Sequence, residues 1–325
     1  MMPIVRLTQL DGSLPNLALM KLSHYFKSYG TTVHFSRSIY PSLFEPKYDA
    51  VYGSAIFKFS ESAVTLFQRE WPEAIIAGTG TDNKQTVEGF IRQGHEHYDY
   101  SIYPDFQESI GFTARGCRLS CKFCVVPEKE GKPRSINTIA DIWRGDPRPK
   151  KLHLLDNDFF GQPLWRDRIK EIREGGFKVC LSQGINVRMI DDESAAALAS
   201  IQYRNTKFNE RKLYTAWDTL KDEALFFRGV ETLKRAGIPG SHLRAYMLIG
   251  FDPAETWDAI WHRFNLMVGA GIEPYPMVFD RKRTDLVCFQ RWVIRGLYRI
   301  VPWEDYERGT KSKESMEASL RARVA

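Results

Sequence analysis

No stretch of the chain approaches the roughly 18 consecutive apolar residues that a membrane span needs. Residues 1–13 also lack the charged-then-apolar layout of a secretory signal, so a cytoplasmic protein with no membrane partner is expected. Cysteine is scarce, with five in 325 residues. An odd and small number argues against a disulfide framework and turns attention to metal or thiol chemistry. Charge of one sign is also in short supply. The 46 Lys and Arg against 40 Asp and Glu leave a net charge of +6, compatible with anionic substrates but far short of a nucleic-acid footprint, so nucleic acid is not indicated. Internal repeats and low-complexity segments are absent. What remains is 43% apolar and 26% charged, a composition that buries a core and excludes fibrous, collagenous and unstructured chains. The length allows one large or two ordinary domains.

Residues 1–103 read as a small α/β unit. An apolar run at 4–7 leads into the turn Asp11-Gly12-Ser13-Leu14-Pro15. Asn16 can then cap a helix whose Leu17, Met20, Tyr25 and Phe26 roughly follow helical spacing, and Gly30 stops it. Strands are expected at 31–35, 49–56 and 74–78, with a helix at 61–69 between the last two. Strands interleaved with helices imply a parallel sheet. From about residue 108, six candidate strands recur, at 110–114, 151–155, 178–182, 212–217, 244–249 and 276–279. Helical stretches at 138–143, 164–174, 192–201, 224–236 and 256–268 lie between them. Six βα units are too few for a closed eight-stranded barrel and predict a partial one over residues 104–300, with its chemistry at the carboxyl ends of the strands. The linker is expected at 95–105. Residues 301–325 form a C-terminal tail, of which 310–325 are charged and short of large apolar side chains, a frayed tail or a surface helix.

Three of the five cysteines stand together in Gly116-Cys117-Arg118-Leu119-Ser120-Cys121-Lys122-Phe123-Cys124, a C-x3-C-x2-C spacing directly after the first barrel strand. Three thiolates on one tight loop can hold three corners of a 4Fe-4S cube and leave the fourth iron open to another ligand. A closed zinc site wants a fourth ligand nearby, but no second C-x2-C follows and His153 lies 29 residues past Cys124. The alternative from another class is a non-catalytic protein whose thiolates hold zinc or an iron-sulfur cluster in a binding or redox-sensing role. Arg118, Ser120 and Lys122 mark an exposed loop and speak against core cysteines. Cys180 and Cys288 are isolated and read as packing residues.

The cysteine spacing, the aromatic Phe123 before the third cysteine, and the loop's place after the first strand resemble the radical S-adenosylmethionine superfamily, over about residues 105–300. The resemblance implies a partial (βα)6 TIM-like barrel in which Cys117, Cys121 and Cys124 hold a 4Fe-4S cluster. It further implies that S-adenosylmethionine chelates the open iron through its amino and carboxylate groups. An electron from the reduced cluster then cleaves the sulfonium to methionine and a 5′-deoxyadenosyl radical, which abstracts hydrogen from a substrate that stays unidentified. A low-potential electron donor such as flavodoxin or ferredoxin is the implied partner. The protein's own task is to position the radical and exclude water and oxygen.

Other strand ends then supply the cofactor's polar contacts. The second strand lacks the family's Gly-Gly-Glu, and Asp156 or Asp158 is expected to accept from the amino group; a helix-capping turn is the alternative. After the third strand, Gln183 or Asn186 is expected at the ribose hydroxyls. Arg188 is expected at the methionyl carboxylate, with a solvated surface arginine as the alternative. Ile249 and Gly250 end the fifth strand where the family packs an apolar residue and glycine beside adenine. Asp218, Tyr275, Met277 and Asp280 are substrate-side candidates.

Pro15 to Leu22, Tyr52-Gly53-Ser54-Ala55 and Ala77-Gly78-Thr79-Gly80 resemble in layout the flavodoxin-like, cobalamin-binding-type parallel α/β domain that precedes the barrel in one subgroup of the superfamily. There, small residues at strand ends let the backbone approach the corrin ring. The Asp-x-His-x-x-Gly pattern of the axial histidine is missing, so an implied cobalamin would be held by its ring and tail, with methyl transfer as the reaction. A degenerate domain kept for structure or substrate contact is the alternative. Gly78-Thr79-Gly80 is not a dinucleotide loop, because Asn83 stands where the third glycine would be. Since Cys117 is the first cysteine and too few follow Cys124 for an auxiliary cluster, a single-cluster enzyme is expected.

Overall fold

β1 (Ile4–Gln9) is buried along five of its six residues, as befits a strand with a neighbour on each side. A computed structural model describes residues 2–83, 85–91 and 97–307 of this α/β protein. The chain divides into two units, Met1–Gln107 and Glu108–Ala325.

In the first unit, β1 is followed by α1 (Leu17–Ser28), whose start is fixed by the Asn16 side chain accepting from the Leu19 N–H at 3.2 Å. β2 (Thr32–Ser36), β3 (Ala50–Ser54), α2 (Glu61–Glu70), β4 (Ile75–Ala77) and α3 (Val87–Ile91) complete it. All strand pairs are parallel, in the order β2-β1-β3-β4. The core gathers Leu7, Leu19, Met20, Tyr52, Ile102 and Tyr103. The last two correct the expected linker at 95–105. Tyr103 donates to Gln9 Oε1 at 2.7 Å and accepts from the Asn16 N–H at 3.1 Å, so 97–105 belongs to the unit, while 95–96 lie outside the described residues.

The second unit runs through β5 (Ser109–Gly111), β6 (Ala114–Arg115), α4 (Val126–Glu130), β7 (Arg134–Ser135), α5 (Ile139–Ile142), β8 (Lys151–Leu154), α6 (Trp165–Glu174) and β9 (Lys178–Leu181). It continues with α7 (Asp192–Ala199), β10 (Gln202–Tyr203), β11 (Leu213–Ala216), α8 (Glu223–Arg235), β12 (Leu243–Ile249), α9 (Trp257–Gly269), β13 (Glu273–Val278) and α10 (Thr284–Ile294). The six expected strands are β5, β8, β9, β11, β12 and β13, and the five expected helices are α5 to α9. Two parallel sheets result, β10-β9-β8-β5 and β11-β12-β13. They meet just past β9, where the Ile185 N–H donates to the Tyr214 carbonyl at 2.7 Å.

The apolar core lies between these sheets and the helices. On β12, Leu243, Ala245, Met247 and Ile249 are fully buried in the same cluster as Phe264, Met267 and Phe289 of α9 and α10. The alternate residues Arg244, Tyr246 and Leu248 stay half-buried on the opposite face. The expected tail boundary at 301 is too early. Trp303 packs against Trp257, Trp261, Phe289 and Trp292, and the Trp292 indole donates to the Val301 carbonyl at 2.9 Å. The segment 310–325 lies outside the described residues. Among those described, no helix is long and apolar enough to cross a membrane.

Candidate functional site

β6 and β7 pair antiparallel, Ala114 opposite Ser135 and Arg115 opposite Arg134, which ties residues 116–133 into a closed loop. All three clustered cysteines ride on it. At its neck Gly116 has φ +90°, and a Cβ there would stand 2.3 Å from the Lys132 carbonyl oxygen, so only glycine fits. Glu130 draws the neck shut: its Oε2 accepts from the Gly116 N–H and from Asn157 Nδ2, each at 3.0 Å, and Oε1 lies 3.2 Å from Arg115 Nη2. The Cys117 N–H donates to the Gly131 carbonyl at 3.1 Å.

The end of β8 anchors the loop from below. Asp156, almost wholly buried, accepts from the Thr113 and Ala114 N–H groups, each at 2.7 Å, and from the Thr113 hydroxyl at 2.8 Å. Burial pushes its carboxyl up to about 7, against the pull of those donors. Gln162 Nε2 donates to the Thr113 hydroxyl at 2.8 Å and extends the network. Asp158 accepts from Arg118 Nε at 2.7 Å and Nη2 at 2.9 Å. Both carboxylates expected at the S-adenosylmethionine amino group have loop donors as partners, and both position the cysteine loop.

Two of the three sulfurs have a backbone donor within reach. The Leu119 N–H points at Cys117 Sγ (3.4 Å) and the Val126 N–H at Cys124 Sγ (3.5 Å). Arg188 lies within hydrogen-bonding reach of Cys121. Burial raises the thiol pKa of Cys117 and Cys121, and the Leu119 N–H and Arg188 respectively oppose it. All three cysteines are half-buried and unbridged, and charge on Cys121 and Cys124 is felt at Cys117. Cys180 and Cys288 are buried, as expected of packing residues, and burial pushes Cys180 up to about 11.

Of the other expected residues, Phe123 packs edge-on against Phe251 with centroids 5.5 Å apart, which sets the loop beside the carboxyl ends of β12 and β13. Arg188 is no solvated surface group: Nη1 pairs with Asp222 and Nε donates to Asn186 Oδ1 at 3.2 Å. Asn186 Nδ2 is buried and has no hydrogen-bond partner among the described residues. Gln183 is exposed just past β9. Ile249 is fully buried in the helix-side core, so it offers no surface to an adenine and that expectation is corrected. Gly250 (φ +75°) gives its N–H to Glu255 at 2.7 Å, and the next ring, Phe251, is the one that faces the loop. Asp218 is half-buried and accepts from the Leu248 N–H at 2.9 Å, and burial raises its pKa. Tyr275 is half-buried, while Met277 and Asp280 are exposed.

Sequence reasoning missed Arg118 as a partner rather than a loop marker, and missed Thr113, Glu130, Asn157 and Gln162 altogether. It also missed fully buried Arg263, which pairs with Glu255 and donates to the Trp217 and Leu248 carbonyls at 3.1 Å, fixing the ends of β11 and β12. An arginine on the buried stripe of a helix otherwise made of Ile260, Phe264 and Met267 was the available signal.

Three half-buried, unbridged thiols stand on one loop, and thiols are donors that zinc and an iron-sulfur cube both take. Among the described residues, no group of three or more His, Cys, Asp and Glu side chains is placed to hold a metal ion.

The first unit fits a corrin poorly. The space beside Gly53 is filled by the Phe67 ring at 2.8 Å, and Cβ atoms at Gly78 and Gly80 would strike the Ala55 and Phe57 carbonyl oxygens at 2.1 and 2.5 Å. These small residues serve packing within the unit rather than approach to a ring. Compared with known proteins, the chain is matched by no family model and by no curated sequence.

Proposed function

We propose that the chain is a radical S-adenosylmethionine enzyme with a single 4Fe-4S cluster held by Cys117, Cys121 and Cys124. In this reading the second unit is a partial (βα)6 TIM-like barrel and the first a flavodoxin-like domain. The carrying observation is the loop itself, which carries three unbridged thiols beside the carboxyl ends of the strands, two of them with a backbone N–H donor to sulfur.

When bound, the cluster supplies the electron that cleaves S-adenosylmethionine to methionine and a 5′-deoxyadenosyl radical. The chain's residues bind, orient and shield. Asp156 and Asp158 hold the loop, and the Leu119 and Val126 N–H groups and Arg188 stabilise charge on the three sulfurs. Asn186 Nδ2, a buried donor lacking a protein partner, suits a ligand oxygen. Phe123, Phe251 and Phe279 form an edge-to-face row beside the loop. No step is derived through cobalamin. A low-potential flavodoxin or ferredoxin is the electron donor proposed, in the cytoplasm.

The rival is a non-catalytic zinc- or iron-sulfur-binding protein. Elemental analysis after anaerobic reconstitution separates zinc from iron: this reading expects about four irons per chain with a brown charge-transfer band. A colourless protein holding one zinc would overturn it.

A further inference from the structure

β12 and β13 pair in parallel with Arg244 opposite Glu273, Tyr246 opposite Tyr275 and Leu248 opposite Met277. These six residues share the face turned away from the buried helix-side core, and each is half-buried or exposed, Met277 at 43%. The rows change in character along the strands. At the amino end Arg244 pairs with Glu273 at 2.7 Å, and next the Tyr246 and Tyr275 rings meet edge-on at 5.4 Å. Leu248 and Met277 follow, and beyond the strands Phe251 meets Phe279 at 4.9 Å, with Phe123 of the cysteine loop against Phe251.

Two features of this wall call for a ligand with an acceptor. Glu273 serves two cations, Arg244 at 2.7 Å and Lys212 at 3.1 Å, so within this group of described residues one positive charge is in excess at the amino end. Arg244 Nε is buried without a hydrogen-bond partner among the described residues. A single excess charge suits a monoanion rather than a phosphate dianion. The rows above it suit an apolar body.

We infer that this face binds a small carboxylic acid with an aliphatic or aryl body, its carboxylate toward Arg244 and the two phenols and its apolar end toward the cysteine loop. That such an acid is the substrate rests on the radical S-adenosylmethionine reading; that it binds does not.

The test is equilibrium dialysis of the full-length, iron-reconstituted chain against octanoate, octanol and octylamine. Octanoate should bind about tenfold or more tighter than the other two. Arg244→Gln should bring octanoate to the level of octanol, and Met277→Asp, at an exposed position that does not threaten folding, should weaken octanoate by about tenfold. Equal binding of the three probes overturns the inference, as does an octanoate affinity unmoved by Met277→Asp. The same preparation assayed for 5′-deoxyadenosine keeps the two ideas apart: nucleoside formed without octanoate preference sinks this inference alone, and octanoate preference without nucleoside sinks the functional reading alone.

Discussion

Arg118 and Asp158 are joined at two points, Nε to Oδ2 at 2.7 Å and Nη2 to Oδ1 at 2.9 Å. The Arg118 N–H adds a third bond to Oδ2 at 3.1 Å. Asp158 is 1% exposed and follows β8, while Arg118 follows Cys117, so the end of one strand sets the orientation of the cysteine loop.

Removing the Asp158 charge should therefore loosen metal binding without touching a ligand. Asp158→Asn is expected to lower iron affinity about tenfold or more, the usual effect of losing a group that orients ligands. Arg118→Lys should behave alike, because an ammonium cannot make the two-point contact. Iron per chain after anaerobic reconstitution, with circular dichroism as the control for folding, is the readout; full loading of both variants would contradict this role.

Asp156 predicts a pH dependence. Its carboxyl stands at about 7 in the folded chain, above the ordinary value near 3.9. The folded state therefore holds the proton more tightly. The stabilisation this provides is complete below about pH 4, declines as pH rises and is lost above about pH 7. Asp156→Asn keeps an acceptor for the two N–H groups and should flatten this part of the profile, seen as a smaller change in urea midpoint between about pH 5 and about pH 8. An identical profile for both proteins would contradict the assignment.

Single alanine substitutions at Cys117, Cys121 and Cys124 should each abolish the brown chromophore. Cys180→Ala and Cys288→Ala should keep it, because both thiols are buried packing groups. Removing a buried sulfur should cost stability by about 1 kcal/mol. Full iron retention by Cys121→Ala would contradict the ligand set.

Gly116→Ala should open the loop's neck, since φ +90° and the Lys132 carbonyl 2.3 Å from the new Cβ both oppose it. Proteolysis within 116–133 is expected to speed up while the rest of the unit stays resistant. Unchanged cleavage would show that the neck tolerates a side chain.

β8, β9, β11, β12 and β13 and the helices α5 to α9 were legible from their apolar runs or stripes, as at Lys178–Leu181 and Glu223–Arg235, whereas the two-residue β10 shows no period. β6 and β7, two residues each, are too short to show any period, so the hairpin that closes the cysteine loop was invisible. The cysteine spacing was legible because its residues are neighbours in sequence. Its supports were not, since Arg118 meets Asp158 across 40 residues and Arg188 reaches Cys121 from another strand end, pairings that only the fold creates. Ile249 was expected beside adenine on the family resemblance, which does not say which face of β12 meets the helices.

The most direct test is to count 5′-deoxyadenosine after mixing anaerobically reconstituted protein with S-adenosylmethionine and dithionite. The account predicts that the nucleoside forms with the wild-type chain and is absent with Cys121→Ala. Wild-type protein carrying about four irons that forms none of it would contradict the account.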